Sequence, residues 1–236
     1  RWLAGRQIRH VAAHRGQGPA AFAASIGLDA HQKAADYTVA RVRTGMVDLL
    51  ISAGLLLALT LGGGLQALHE LSTRFFEAGS LPQGLVFIAL VASLSWLVDL
   101  PLTVYRSFGL EARFGFNRLT PGLFIADALK GILLSAVIGL PLIAFVLWLM
   151  AAMGERWWLY VWFFWLVFNL LVLLVYPSFI APLFNKFKPL EDGPLRQRIE
   201  GLMSRCGFRL SGLFVMDGSK RSAHGNAYFT GFGAAK

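Results

Sequence analysis

Residues 157–180 read Trp157-Trp158-Leu159-Tyr160-Val161-Trp162-Phe163-Phe164-Trp165-Leu166-Val167-Phe168-Asn169-Leu170-Leu171-Val172-Leu173-Leu174-Val175-Tyr176-Pro177-Ser178-Phe179-Ile180, without one charged side chain. A helix needs roughly 20 apolar residues to cross a bilayer, and this stretch supplies them. Its opening cluster of Trp157, Trp158, Tyr160 and Trp162 is the kind that anchors at the headgroup level. Three more such stretches precede it: Met46 to Leu68 with Asp48 its only charge, Leu85 to Tyr105 with only Asp99, and the uncharged Gly131 to Met153. The chain of 236 residues is 56% hydrophobic and 15% charged, with a mean hydropathy of +0.58. Four stretches of this length cannot be buried in the core of so short a soluble chain, so the expected fold is an α-helical polytopic membrane protein.

Charge asymmetry sets the expected orientation. Residues 1–44 carry Arg1, Arg6, Arg9, Arg15, Lys33, Arg41 and Arg43 against Asp29 and Asp36, whereas His69 to Leu81 has only Arg74 against Glu70 and Glu77. The next loop holds Arg106, Arg113, Arg118 and Lys130, the third Arg156, and the segment from Ala181 onward nine basic residues. Basic and non-basic loops alternate, which places residues 1–44, the second loop and the tail on the cytoplasmic side. The net charge of +9 lies where anionic lipid meets helix ends, an arrangement that points away from nucleic acid. Cys206 is the only cysteine, so no intrachain disulfide framework exists. It falls in helical phase with Leu195, Ile199, Leu202 and Met203, which predicts a core-packing role. Residues 1–14 lack the apolar centre of a cleavable signal peptide, and the chain begins without Met; a longer parent protein is expected.

The expected organisation is a basic cytoplasmic segment (1–44), a membrane domain (45–180, helices at about 46–68, 85–105, 131–153 and 157–180), and a third segment, 181–236, of soluble composition. Pro177, Pro182 and Pro189 are expected to end the fourth helix. Glu191-Asp192-Gly193-Pro194 then supplies acidic residues, a cap and an early proline for a helix over Leu195 to Cys206, which Gly207 stops. Gly212 to Met216 reads as a short buried strand, Asp217-Gly218 as a turn, and Asn226 to Phe232 as a second strand. One helix and two strands open an α+β domain without completing its core.

Metal-dependent hydrolysis most economically uses His-Glu-x-x-His, and the chain contains no such motif. His69-Glu70-Leu71-Ser72-Thr73 has Thr73 at the second ligand position and reads as a polar pair at the membrane edge. His10-Val11-Ala12-Ala13-His14 has the i, i+4 spacing but no acidic residue within it, and Arg9 and Arg15 beside it disfavour a second cation. Asp99 and Asn169 lie within apolar stretches, where polar groups are costly unless paired or facing water. Asp99 has two readings: a local pair with Arg106, or an ion-relay group in a transporter.

Three blocks carry a family resemblance. They are Tyr105-Arg106-Ser107-Phe108-Gly109-Leu110-Glu111 with Gly115-Phe116-Asn117, Thr120, Asp127 and Lys130; Ile180-Ala181-Pro182-Leu183-Phe184-Asn185-Lys186-Phe187; and Gly218-Ser219-Lys220-Arg221-Ser222-Ala223-His224-Gly225-Asn226-Ala227-Tyr228-Phe229. Together they resemble the type I CAAX prenyl proteases, a family of integral-membrane zinc metalloendopeptidases. Gly225 stands where that family commonly has Ser, and Thr230 where it often has Tyr. The resemblance implies an α-helical polytopic membrane protein with the start of a cytoplasmic α+β zinc-peptidase domain. It also implies a first membrane helix before Arg1, and a Zn2+ held by a His-Glu-x-x-His pair and a downstream Glu that all lie outside this chain, so that residues 1–236 alone are inactive.

The expected catalytic and metal-ligating sets within these residues are therefore empty. The expected substrate-binding set is Asn226, Ala227, Tyr228 and His224, because an edge strand can hold a peptide extended through backbone hydrogen bonds. His224 is expected to make a structural or substrate-proximal hydrogen bond, while Lys220 and Arg221 either steer a substrate carboxylate or form a solvated turn. The expected partners are a polypeptide, lipidated or not, and membrane lipids. The Ala- and Arg-rich composition points to a bacterial inner membrane with the peptidase part cytoplasmic. A non-catalytic scaffold or transporter subunit built around Asp99 is the alternative.

Overall fold

The computed structural model describes residues 2–18, 26–208, 210, 212–225 and 227, and divides the chain into two compact units, Arg1–Asn117 and Arg118–Lys236. Four helices are long and apolar enough to cross a membrane, at Leu28–Thr60, Leu81–Glu111, Pro121–Ala152 and Gly154–Val175. Their apolar side chains face outward, as in Leu133 (66% exposed) and Trp162 (64% exposed), which is what a lipid-facing helix requires.

In the first unit, α1 (Trp2–Ala13) packs on α2 (Leu28–Thr60), and α3 (Gly64–Thr73) folds back on α4 (Leu81–Val104). The helix expected at 46–68 instead stops at Thr60. Leu61 and Gly62 both donate their N–H to Leu57 O, and Gly63 takes a left-handed φ of 74°, the usual helix-ending geometry. A Cβ on Gly62 would lie 2.6 Å from Ala58 O, so Gly62→Ala should cost about 1–3 kcal/mol. Thermal unfolding in detergent reads this, with Gly54→Ala, where a Cβ meets open space, as the neutral comparison.

Leu81 to Val104 starts on Ser80, whose Oγ accepts from Gln83 N at 3.3 Å. The helix then widens into a π-helical segment, Tyr105–Glu111. Here the first block of the resemblance closes on α2. Tyr37 donates its hydroxyl proton to Glu111 Oε1 at 2.6 Å, and its ring meets Phe114 and Phe116 edge-on at 5.2 and 4.9 Å. Phe116 and Asn117 return their N–H groups to Glu111 O. One residue thus fixes both α2 and the Gly-Phe-Asn turn.

In the second unit, Thr120 caps α5 (Pro121–Ala152) by accepting from Leu123 N, so this helix begins ten residues before the expected Gly131. It packs on α6 (Trp157–Val175). Pro177 and Pro182 do not end the fourth helix as expected. The chain passes through a π-helical segment (Tyr176–Ile180) into α7 (Ala181–Phe184) before Asn185 turns extended. Each proline sits in the first turn of its segment, where its missing N–H is least costly, and the wider turn lets Ala181 N bond Tyr176 O.

The soluble part holds β1 (Phe187–Pro189), α8 (Pro194–Arg205) and β2 (Phe214–Met216), with Phe187 opposite Met216 and Pro189 opposite Phe214 in an antiparallel pair. Strand β1 is not anticipated by the sequence pattern. Strand β2 is not buried as expected: Phe214 is 62% and Val215 53% exposed, because a two-stranded sheet leaves its faces uncovered. Cys206 is likewise exposed, not packed in a core, since the α8 face carrying Leu195 and Leu202 lies open. The expected strand from Asn226 lies almost wholly outside the described residues.

Candidate substrate-holding run and its anchor

The run after β2 is fixed at its start by two ion pairs. Asp217 Oδ1 accepts from Lys186 N at 2.7 Å, Asp217 N donates to Lys186 O at 3.1 Å, and Asp217 Oδ2 meets Lys220 Nζ at 2.7 Å. The Lys220 ammonium and the Lys186 amide hold the Asp217 carboxyl below the usual carboxylate range. A depressed carboxyl contributes stability above its unfolded pKa and loses it as pH falls through its folded pKa. Protection of the Lys186 amide, its exchange rate relative to the intrinsic rate at the same pH, should therefore be high at neutral pH and fall in acid below about pH 4, and Asp217→Asn should remove that fall.

A short 3-10 turn, Gly218–Lys220, leads to Arg221. Its guanidinium forks onto Asp127 of α5, with Nε to Oδ2 at 2.7 Å and Nη2 to Oδ1 at 2.9 Å. Nη2 also donates to Phe184 O at 2.7 Å, and Nη1 to Asn185 Oδ1 at 2.8 Å. The Asp127 carboxylate raises the Arg221 pKa further. Arg118 N donates to Arg221 O at 3.1 Å. Neither alternative for Arg221 holds, because the side chain is turned inward and occupied: a fork matched to a carboxylate takes the nearest one. Lys220 pairs with Asp217 but stays largely exposed in the 3-10 turn, which agrees with its reading as part of a solvated turn.

Beyond this anchor, Ser222 Oγ accepts from His224 N at 3.1 Å, and His224 and Ala227 are exposed. Asn226 and Tyr228, the other two expected substrate contacts, lie outside the described residues. The anchor partners Asp127 and Asn185 are missed by reasoning on spacing, since they stand 94 and 36 residues from Arg221.

The remaining expected groups resolve individually. His14 donates from Nδ1 to His10 O at 2.8 Å, His31 donates from Nε2 to His14 O at 2.9 Å, and Arg15 forks onto Asp36 at 2.8 Å: these residues clasp α1 to α2. His69 belongs to a polar knot in which buried Gln83 donates to the Oγ of fully buried Ser72 at 2.7 Å. Arg106 pairs with Asp48 at 2.6 Å, so the expected Asp99–Arg106 pair does not form; Asp99 is exposed. Asn169 donates to Trp165 O at 2.7 Å, satisfying itself within its own helix. Among the described residues no three His, Cys, Asp or Glu side chains converge as a metal requires, so they do not fit a zinc ion.

Residues 7–186 match the family described as CAAX prenyl protease N-terminal, five membrane helices. The chain is 47% identical over 161 residues to CAAX prenyl protease 1 of Saccharomyces cerevisiae, covering 68% of this chain and 36% of that protein. It is 45% identical over 148 residues to CAAX prenyl protease 1 homolog of Arabidopsis thaliana, covering 63% and 35% respectively. Its fold is similar to the crystal structure of S. mikatae Ste24p, with a TM-score of 0.87 and 35% identity over 98% of this chain and 55% of that one. The chain therefore spans about a third of the length of these curated relatives. A family match over most of the chain, helices long enough to span a bilayer, and a fold shared along nearly its whole length lead to one conclusion: this is a multi-pass integral membrane protein of the CAAX prenyl protease family.

Proposed function

We propose that this chain is the membrane and substrate-holding part of a zinc metalloendopeptidase that cuts near the C-terminus of prenylated CAAX-type or other membrane-associated polypeptides. Family membership is the observation that carries this reading. In it, α8, β1 and β2 begin a cytoplasmic α+β peptidase domain, and the run after Arg221 holds the substrate extended through Asn226 and Ala227, flanked by His224 and Tyr228. The metal and its ligands lie outside residues 1–236, and no chemical step is assigned to the residues present. The basic loops support a cytoplasmic placement of the tail. The relatives named are eukaryotic and lend the bacterial inner membrane no support, so the proposed location is limited to a membrane with these loops on its cytoplasmic face.

The full-length gene product, reconstituted in liposomes, should release the last residues of a farnesylated CAAX peptide. EDTA should stop the reaction and zinc restore it, while residues 1–236 alone should cleave nothing. An intact full-length protein with neither bound zinc nor EDTA-sensitive cleavage would falsify the assignment.

A further inference from the structure

We propose that Arg221 is a positioning residue for the substrate-holding run, acting through Asp127 and the α7–β1 junction. The inference rests on the functional reading above and adds a residue role to it. Four of the five guanidinium N–H groups are directed at three acceptors from two places in the sequence: Asp127 on α5, and Phe184 O with Asn185 at the end of α7. The side chain is 25% and Asp127 21% exposed, so the pair is shielded enough to be directional. Its backbone is fixed as well, because Arg221 O accepts from Arg118 N and Arg221 N donates to Gly218 O.

The chain thus leaves the sheet from a post bolted to a helix long enough to span the membrane. His224 and Ala227 follow three and six residues later, and both are exposed. Exposed residues such as His224 and Ala227 have few packing contacts of their own to fix the direction of the chain. A fork onto a carboxylate supplies direction at a point just before it. Lysine cannot replace it, since a single ammonium reaches one acceptor set and loses the planar match.

The test uses the full-length protein carrying Arg221→Lys, Asp127→Asn or Asp127→Glu. Hydrogen exchange at residues 222–225 should accelerate in Arg221→Lys and Asp127→Asn while α8 exchange stays unchanged. In the same variants, KM for the CAAX peptide should rise about tenfold with kcat within about threefold of wild type. Asp127→Glu, which keeps the carboxylate, should recover most of the KM. Unchanged exchange overturns the tether. Faster exchange with unchanged KM, or a kcat that falls only with the folded fraction, makes the pair a stabilising contact and overturns the positioning role. If the wild-type protein cleaves no peptide, the functional reading fails and the positioning role falls with it, whereas the exchange result still decides the tether.

Discussion

Asp48→Leu should lower stability by about 1 kcal/mol, because it leaves the part-exposed Arg106 guanidinium without the carboxylate that the neighbouring long helix supplies. The pair spans 58 residues of sequence and joins α2 to the π-helical segment that follows α4. Removing both, as Asp48→Leu with Arg106→Leu, should recover most of the loss, since two apolar side chains need no partner in lipid. Thermal unfolding in detergent, followed by tryptophan fluorescence, reads both variants. A single variant as stable as the wild type would show that the ion pair contributes nothing.

Tyr37→Ala should cost about 3 kcal/mol, and Tyr37→Phe about half of that. The larger change removes the ring that packs edge-on against Phe114 and Phe116, of which Phe114 is only 8% exposed. The smaller one removes the hydroxyl, and with it the 2.6 Å hydrogen bond to the Glu111 carboxylate. Because Glu111 O also accepts from the Phe116 and Asn117 amides, loss of Tyr37 should loosen the Gly-Phe-Asn turn in particular. Faster amide exchange at Phe116 and Asn117 in Tyr37→Phe is the expected local sign, and equal exchange would remove Glu111 from its organising role.

The sequence makes the membrane helices legible because length and lack of charge are one-dimensional properties. Where the expected boundaries fail, the cause is local geometry that composition does not carry. Hydropathy runs on past Thr60, but Gly62 and Gly63 end the helix with a left-handed turn. Pro177 and Pro182 look like stops, yet a change of helical pitch absorbs them. The pairings are harder still. Arg106 has Asp99 seven residues away in sequence and chooses Asp48 on another helix, a choice made by helix packing. Arg221 looks on paper like a free cation beside Lys220, and only the folded chain brings it to Asp127. The family blocks did flag Tyr105 to Lys130 and Gly218 onward as important, without stating that Asp127 in one block holds Arg221 in the other.

The run following Arg221 is proposed to hold an extended peptide. Photocrosslinking decides this, using the full-length protein in liposomes and a CAAX peptide with a benzophenone beside its scissile bond. Adducts mapping to residues 222–230, and competed away by unlabelled peptide, are the predicted result. Competable adducts confined to the span around Asp99, with none in that run, would contradict it.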